Sequence, residues 1–336
     1  MNDQSPSTTA EPLLSCDGSG DTQPTIGIPS SLRESGSLEV PSEKSFEPKR
    51  RPPGIYYDVP FDEYREWSGI NQSSLKIAMR SLAHYRHAKD NPEPNDKDCF
   101  RFGRLCHAGR LEPITILERY VLMPAFEKQL TEKYDRPKAS KEYKALKQQF
   151  EEVNQGKEVV PDDWYHQLCG ILKALDANKR AKAYLSGDGP AEVSIVWDDE
   201  VTGLRCKARL DKWDQTNRTI PDIKTTEDAS DFAWSCRRYL YHMQGAFYSD
   251  GLRTLTGIDH DFCLIAVEKS APYGCRSAPL SEDAIDGGRL LYRRLLRQIA
   301  TAEETGIWPA YRDPEEWDVP APEIELTKSG TPFFNL

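Results

Sequence analysis

The chain has 336 residues and a formal net charge of −10, long enough for one large domain or two small ones with an ample core. No apolar run approaches the ~20 residues that span a bilayer, and no charged segment followed by an apolar stretch opens the chain. A membrane protein or a secreted one is therefore not expected, and a cytoplasmic location is.

The eight cysteines, at 16, 99, 106, 169, 206, 236, 263 and 275, are scattered without a C-x-x-C pair. They read as buried or idle thiols, not as a disulfide framework, a zinc site or an iron–sulphur site. The acidity counts against a nucleic-acid ligand, because phosphate contacts need local positive charge. A basic groove can nevertheless sit on an acidic body, and a site that holds magnesium itself needs carboxylates.

Residues 1–52 are rich in Ser, Pro, Gly and Glu, with Phe46 the only aromatic among the first 50. Such a segment cannot bury enough apolar area to offset its ordering entropy, so a disordered N-terminal tail is expected ahead of a domain over 53–336. The basic run Lys49-Arg50-Arg51 that ends it is expected to be a solvated linker. Ile55-Tyr56-Tyr57 predicts a short strand. Asn71-Gln72-Ser73-Ser74 predicts a helix start ahead of Leu75, Ile77 and Ala78. A second helix should carry Phe102, Leu105, Cys106 and Ala108. Lys138, Lys141, Lys144 and Lys147 then stripe a polar helical segment, read as a solvated face or as a DNA contact.

From Ala191 the pattern turns to β. Glu192 to Trp197 alternates, Leu204 to Trp213 forms the next strand, and Thr219 to Lys224 a third, with turns between them. One long helix is expected over Ser230 to Leu255, a buried strand over Phe262 to Val267, and a closing helix over Ala284 to Thr301. The fold class is therefore α/β, with a mixed central β-sheet flanked by helices.

The chemistry concentrates in Leu210-Asp211-Lys212 and Asp222-Ile223-Lys224. In two adjacent antiparallel strands joined by a short turn, Asp211 and Asp222 can converge on one metal ion. Asp222 and Lys224, two apart, share a strand face. Magnesium prefers carboxylate and carbonyl oxygens, and a lysine beside it can orient or deprotonate a water. The alternative reading is surface ion pairs, Asp211 with Lys212 and Asp222 with Lys224, on a two-faced hairpin. Glu192 offers a third carboxylate, or is an exposed strand-end acid. His107 offers a further ligand, or is an ordinary helical histidine. Tyr241, Gln244 and Tyr248 share one helix face, positioned for water, phosphate or a nucleotide groove, or as core-edge residues.

Taken as an ordered series, these segments resemble the PD-(D/E)XK nuclease superfamily, and within it the exonuclease VIII-type recombination exonucleases. The carriers are Gly54-Ile55-Tyr56, Ser73-Ser74-Leu75, Phe102 to His107, Leu111-Glu112-Pro113, Ala191 to Ser194, Leu210-Asp211-Lys212, Asp222 to Thr226, Tyr241 to Gly251 and Ala266 to Lys269. The resemblance implies metal ligation by His107, Asp211 and Asp222 with the Ile223 carbonyl, and a catalytic set of Asp211, Asp222, Lys224, Glu192 and Gln244. It implies magnesium, with manganese able to substitute, and 5′→3′ digestion of double-stranded DNA ends in recombination or repair. A homo-oligomer and a single-strand annealing recombinase as partner are further implied. Ser73 and Ser74 at a helix N-terminus, with Arg104 and Tyr248, are the expected DNA contacts; helix capping is the alternative for the serines. A RecB-like nuclease, an endonuclease, and a catalytically silent DNA-binding module on the same fold remain open.

Overall fold

The computed structural model describes residues 49–92, 97–114 and 116–311, with the backbone of two further strands near the C-terminus. The tail expected over residues 1–52 lies outside the described residues up to position 48. Its last residues are not a free linker. The Lys49 amide donates to Glu66 O at 2.9 Å, and Lys49 and Arg51 pair with Glu66 and Glu63.

Strand β1 (Gly54–Tyr56) is followed by helices α1 (Phe61–Glu66), α2 (Gln72–Arg80), α3 (Leu82–Asp90) and α4 (Asp98–Leu111). A mostly helical insert then runs through α5 (Ile116–Arg119), β2 (Tyr120–Leu122), α6 (Phe126–Leu130), α7 (Lys141–Val153), β3 (Glu158–Val160), α8 (Asp162–Ala177) and α9 (Lys179–Ser186). The lysine stripe falls here on a surface of ion pairs, Lys138 with Glu127 and Lys147 with Glu151, as a solvated face would.

The three long strands follow as β4 (Ala191–Asp198), β5 (Arg205–Lys212) and β6 (Thr219–Thr226). The single helix expected over Ser230 to Leu255 is two, α10 (Phe232–Arg238) and α11 (Tyr241–Thr256). The break is at Leu240, whose φ of 57° lies in the left-handed region and cannot continue a right-handed helix. Strands β7 (Asp261–Glu268) and β8 (Cys275–Pro279), helix α12 (Glu282–Thr305) and the pair β9 (Ile324–Leu326) and β10 (Pro332–Phe334) complete the order.

The sheet is mixed, as expected, but it is forked. One ladder runs β1-β4-β5, all antiparallel; the other runs β6-β7-β8, with β6 and β7 parallel. Strands β5 and β6 were expected to form a hairpin ladder. They share only the bridge Asp214 to Thr219 and then diverge. The turn itself is held by Asp214, whose carboxylate accepts from Asn217 N and Nδ2.

Two apolar cores flank the fork. The larger packs α2, α11 and α12 against Val193, Ile195, Leu210, Ile220 and Phe262. The other packs α4, α8 and α9 against Ile223, Ile265 and Val267. Alternation along β6 therefore sends Ile223 toward α4 and α8, and Ile220, Asp222 and Lys224 toward α11.

Helix α11 is locked to α12 by polar contacts as well as packing. Asp250, buried, accepts Arg289 Nε and Nη2 at 2.8 Å each and the Tyr292 hydroxyl at 2.6 Å. Near the other end, Gly288 lets α12 approach the His242 carbonyl so closely that a Cβ there would sit 2.1 Å from it. Removing one member of a buried, hydrogen-bonded charge cluster leaves the rest uncompensated. Asp250→Ala is expected to cost about 3 kcal/mol, read as a lowered urea midpoint without a change in slope.

Candidate metal centre

The fork leaves one edge of β6 without a strand partner. At Ile223 both backbone groups on that edge are satisfied by side chains. Asp211 Oδ2 accepts from Ile223 N at 2.8 Å, and His107 Nε2 donates to Ile223 O at 3.1 Å. A buried unpaired amide is costly, so these two bonds hold Asp211 and His107 against β6. The Ile223 carbonyl, expected as a metal ligand, is in this structure the acceptor that orients the imidazole.

Each of the three carboxylates is then fixed by one oxygen and presents the other. Asp211 turns Oδ1 to within 3.4 Å of His107 Nδ1. Glu192 gives Oε2 to Arg209 Nε at 2.6 Å and keeps Oε1 3.7 Å from His107 Nδ1. Asp222 gives Oδ1 to Gln244 Nε2 at 2.7 Å. Its Oδ2 is buried, lies 2.6 Å from Lys224 Nζ, and has no contact with hydrogen-bond geometry. Glu192 lies opposite Asp211 across β4 and β5, between the paired positions Ala191–Lys212 and Val193–Leu210. Like charges directly opposite destabilise a sheet. Glu192 also holds a φ of 52°, a strained backbone for a residue with a side chain.

Crowding shows in the protonation states. Burial pushes Asp211 from 3.8 to about 7, with Asp222 and Glu192 adding to it against His107. Burial works against a charged His107, but Asp211 and Glu192 outweigh it and raise the imidazole to about 9. Burial likewise opposes the Lys224 ammonium, and Asp222 and Asp211 overcome it, holding the group protonated beyond its ordinary range. Glu192 is held below its usual range, since His107 and Arg209 prevail over its burial. Lys224 is thus an ammonium fitted to orient and donate; it is not a free base.

These residues fit a divalent cation. The ligand atoms of His107, Glu192 and Asp211 lie within 4.8 Å of one another, and the buried Asp222 carboxylate, paired with Lys224, lies near enough to act on Asp211. Oxygen donors with a single imidazole suit magnesium or manganese.

The other expected contacts divide. Ser74 is spent on a capping box with Asn71: its amide donates to Asn71 Oδ1 at 2.8 Å, and its Oγ accepts from Asn71 N at 3.1 Å. Ser73 is exposed one residue before it. Ser74 thus takes the capping role that was the alternative for it, while Ser73 plays no part in the cap. Arg104 lies one turn before His107 on α4 and acts on Tyr120. Tyr248 is half-buried beside the larger core. Its ring packs edge-on to Phe262 at 6.0 Å, and burial among Tyr64, Asp222 and Asp211 drives its phenol well above the ordinary range. Its hydroxyl meets Gln244, so it supports the residue that holds Asp222.

Sequence reasoning missed Arg209 and Lys76. Arg209 lies two residues before Asp211, so the alternation of β5 already placed both on one face. Lys76, on α2, sits 5.4 Å above the Tyr241 ring, and burial followed by Lys224 lowers it to about 8. Nothing local in the sequence signals that placement.

Two outcomes are expected here. Ser74→Ala should cost about 1 kcal/mol, as loss of a cap does, and leave any activity unchanged. The second concerns metal and pH. Between about pH 4 and 9, folded metal-free protein keeps protons on Asp211 and His107 that the unfolded chain releases. The folded form binds more protons, so this contribution to stability falls as pH rises. A divalent cation displaces those protons, and its stabilisation should grow with pH. The rise in melting temperature with magnesium or manganese should be larger at pH 8.5 than at pH 6, and absent in Asp211→Asn.

Comparison with known proteins places this geometry. No curated protein matches the sequence. A crystal structure of a candidate exonuclease from Eubacterium rectale is similar, 16% identical over 74% of this chain and 88% of that one, with a TM-score of 0.49. The structure of SSO0001 is 15% identical over 58% of this chain and 86% of that one, with a TM-score of 0.25. At that distance neither says anything of activity. A family model described as a PDDEXK-like domain of unknown function (DUF3799) matches residues 72–316, which take in every carboxylate of the centre, His107 and Lys224. The chain belongs to that PDDEXK-like family.

Proposed function

We propose that this chain is a divalent-metal-dependent nuclease that hydrolyses phosphodiester bonds in DNA. One observation carries the reading: the ligand atoms of His107, Glu192 and Asp211 gather within 4.8 Å of one another beside the Asp222–Lys224 pair, and each of the three carboxylates accepts through one oxygen from a positioning donor. Buried carboxylates that crowd one another are costly unless cations sit among them, and a divalent ion would add to the charge that Lys224 and His107 supply. A surface ion pair needs no such arrangement. The chemistry that a bound cation supplies is polarisation of a phosphoryl oxygen.

The chain's own groups would do the rest. Lys224, protonated on the face of β6 that carries Asp222, would orient the attacking water and stabilise charge that develops on the phosphate. Gln244, with Tyr248 behind it, would keep Asp222 in one rotamer, and Arg209 would do so for Glu192. His107, its Nε2 committed to the Ile223 carbonyl, would offer Nδ1. At a finer level, the ordered series from Gly54 to Lys269 supports an exonuclease VIII-type enzyme. Such an enzyme degrades linear duplex from its ends, 5′→3′, in recombination or repair, as an oligomer beside an annealing recombinase.

Digestion of end-labelled linear and covalently closed circular duplex with and without magnesium tests this. The expected outcome is loss of the linear substrate only, and only with metal. Asp222→Ala or Lys224→Ala should abolish it in protein that circular dichroism shows to be folded. Gln244→Ala should lower turnover by about 10- to 100-fold, as removal of a ligand's supporting partner does. Cleavage of circles at the same rate would make the chain an endonuclease. Full turnover in Asp222→Ala would refute the proposed centre.

A further inference from the structure

A run of alternating rings and cations leads outward from the metal centre. Lys224 Nζ lies 5.0 Å from the Tyr241 ring, and Lys76 Nζ lies 5.4 Å from the same ring. Tyr241 is 5.8 Å from Tyr239. The Arg238 guanidinium sits 5.6 Å from the Tyr239 ring and 4.9 Å from the ring of Trp234. Trp234 and Arg238 are four residues apart on α10 and share a face. The strained Leu240, at φ 57°, turns the chain between the two tyrosines.

Exposure rises along the run. Asp222 is 2% exposed and Tyr241 half-buried, while Tyr239 is 45% and Trp234 56% exposed. Helix α10 has no buried residue, so the indole is not anchored in a core. Among the described residues neither Arg238 nor Lys76 is ion-paired, whereas surface cations such as Lys49, Lys133 and Lys138 are. Two large exposed rings with Arg238 between them, and Lys76 further in against Tyr241, offer π faces and cations without carboxylate partners to a ligand that has both ring faces and negative charge.

The geometry points to a single-stranded nucleic acid as that ligand: its bases stack on Trp234 and Tyr239, its phosphates meet Arg238 and Lys76, and it leads into Asp222 and Lys224. Every base offers a ring face and every linkage one negative charge, in the alternation seen here. A duplex does not fit these rings, because its base faces are already stacked on one another. A protein partner could use the same residue types, but it has no reason to follow them down to buried carboxylates. The inference deepens the nuclease reading and rests on it for where the strand leads. Its test needs binding without turnover, so the two can fail separately.

The probe is a fluorescein-labelled oligothymidylate, titrated in EDTA beside a duplex whose ends are closed by hairpins. The double variant Trp234→Ala, Tyr239→Ala is expected to weaken oligothymidylate binding by about tenfold or more, and to leave the closed duplex unaffected. Replacing both by Phe should restore most of the loss. Arg238→Ala should flatten the log–log salt dependence by about 0.7, the loss of one single-strand phosphate contact, and this arm holds if the double variant fails to fold. A folded double variant that binds oligothymidylate like wild type overturns the inference, as does wild-type protein that does not bind it, or an equal loss for both probes. If wild type cuts no DNA with magnesium yet binds oligothymidylate through Trp234, the nuclease reading fails and the strand surface stands. If it cuts while the folded double variant binds normally, the strand surface fails alone.

Discussion

The Ile223 peptide unit, lodged where two ladders part, is the joint on which the rest of the molecule depends. A continuous sheet would have met its amide and carbonyl with the backbone of β5. Because β5 and β6 diverge after Asp214, those groups would be buried without partners, and the Asp211 carboxylate and the His107 imidazole take their place. A strand thereby uses functional side chains to complete its own hydrogen bonding. The same contacts that stabilise the fork set the rotamers of two candidate ligands, so fold and site share one set of bonds.

The electrostatics follow from that joint. Asp211 and Glu192 meet around His107 with Asp222 close by, and each carboxylate has one restraint: the Ile223 amide for Asp211, Arg209 for Glu192, Gln244 for Asp222. Arg209 also donates to the Val59 carbonyl and to Ser194, which ties β5 to the segment before α1. Lys224 is the cation inside the centre, and it is held charged by the acids around it. The overall charge of −10 therefore says little about ligand preference. What matters is that acids gather at the fork while Lys76, Lys224 and Arg238 face the aromatic edge beside it.

The helices act as clamps on this arrangement. Helix α11 carries Gln244 and Tyr248 against Asp222, and is itself held to α12 through Asp250 and the close approach at Gly288. Helix α4 brings His107 from the opposite core. Lys207, buried beneath α1, donates to the Tyr64 carbonyl at 3.0 Å and also reaches that of Trp67, adding to the bond that the Trp67 amide makes to Tyr64 O at the helix end. Such a lysine is structural although it resembles a catalytic one, and burial, with Arg65 adding to it, lowers it to about 8. Perturbed protonation marks burial as readily as it marks function.

The sequence by itself determined the α/β class, the long strands from β4 to β7, the start of α2 and the identity of the acidic set. These rest on local alternation, on capping residues and on the rarity of acids next to apolar strand positions, and all of them act over a few residues. Where the sequence misled, a distant contact had outweighed the local pattern. The turn after Asp214 read as a hairpin, yet β6 takes β7 as its ladder partner because a parallel neighbour buries both faces of Ile223 to Val267. The helix from Ser230 read as continuous, yet Leu240 breaks it to bring Tyr239 and Tyr241 side by side. Ser74 was open between ligand and cap, and its reciprocal bonds with Asn71 make it part of a capping box. Lys76 and Arg209 became visible as part of the site only when helix, sheet and fork were assembled, since what unites them with Asp222 and Glu192 is proximity across elements. Periodicity reports which face a residue occupies; only packing decides what that face meets.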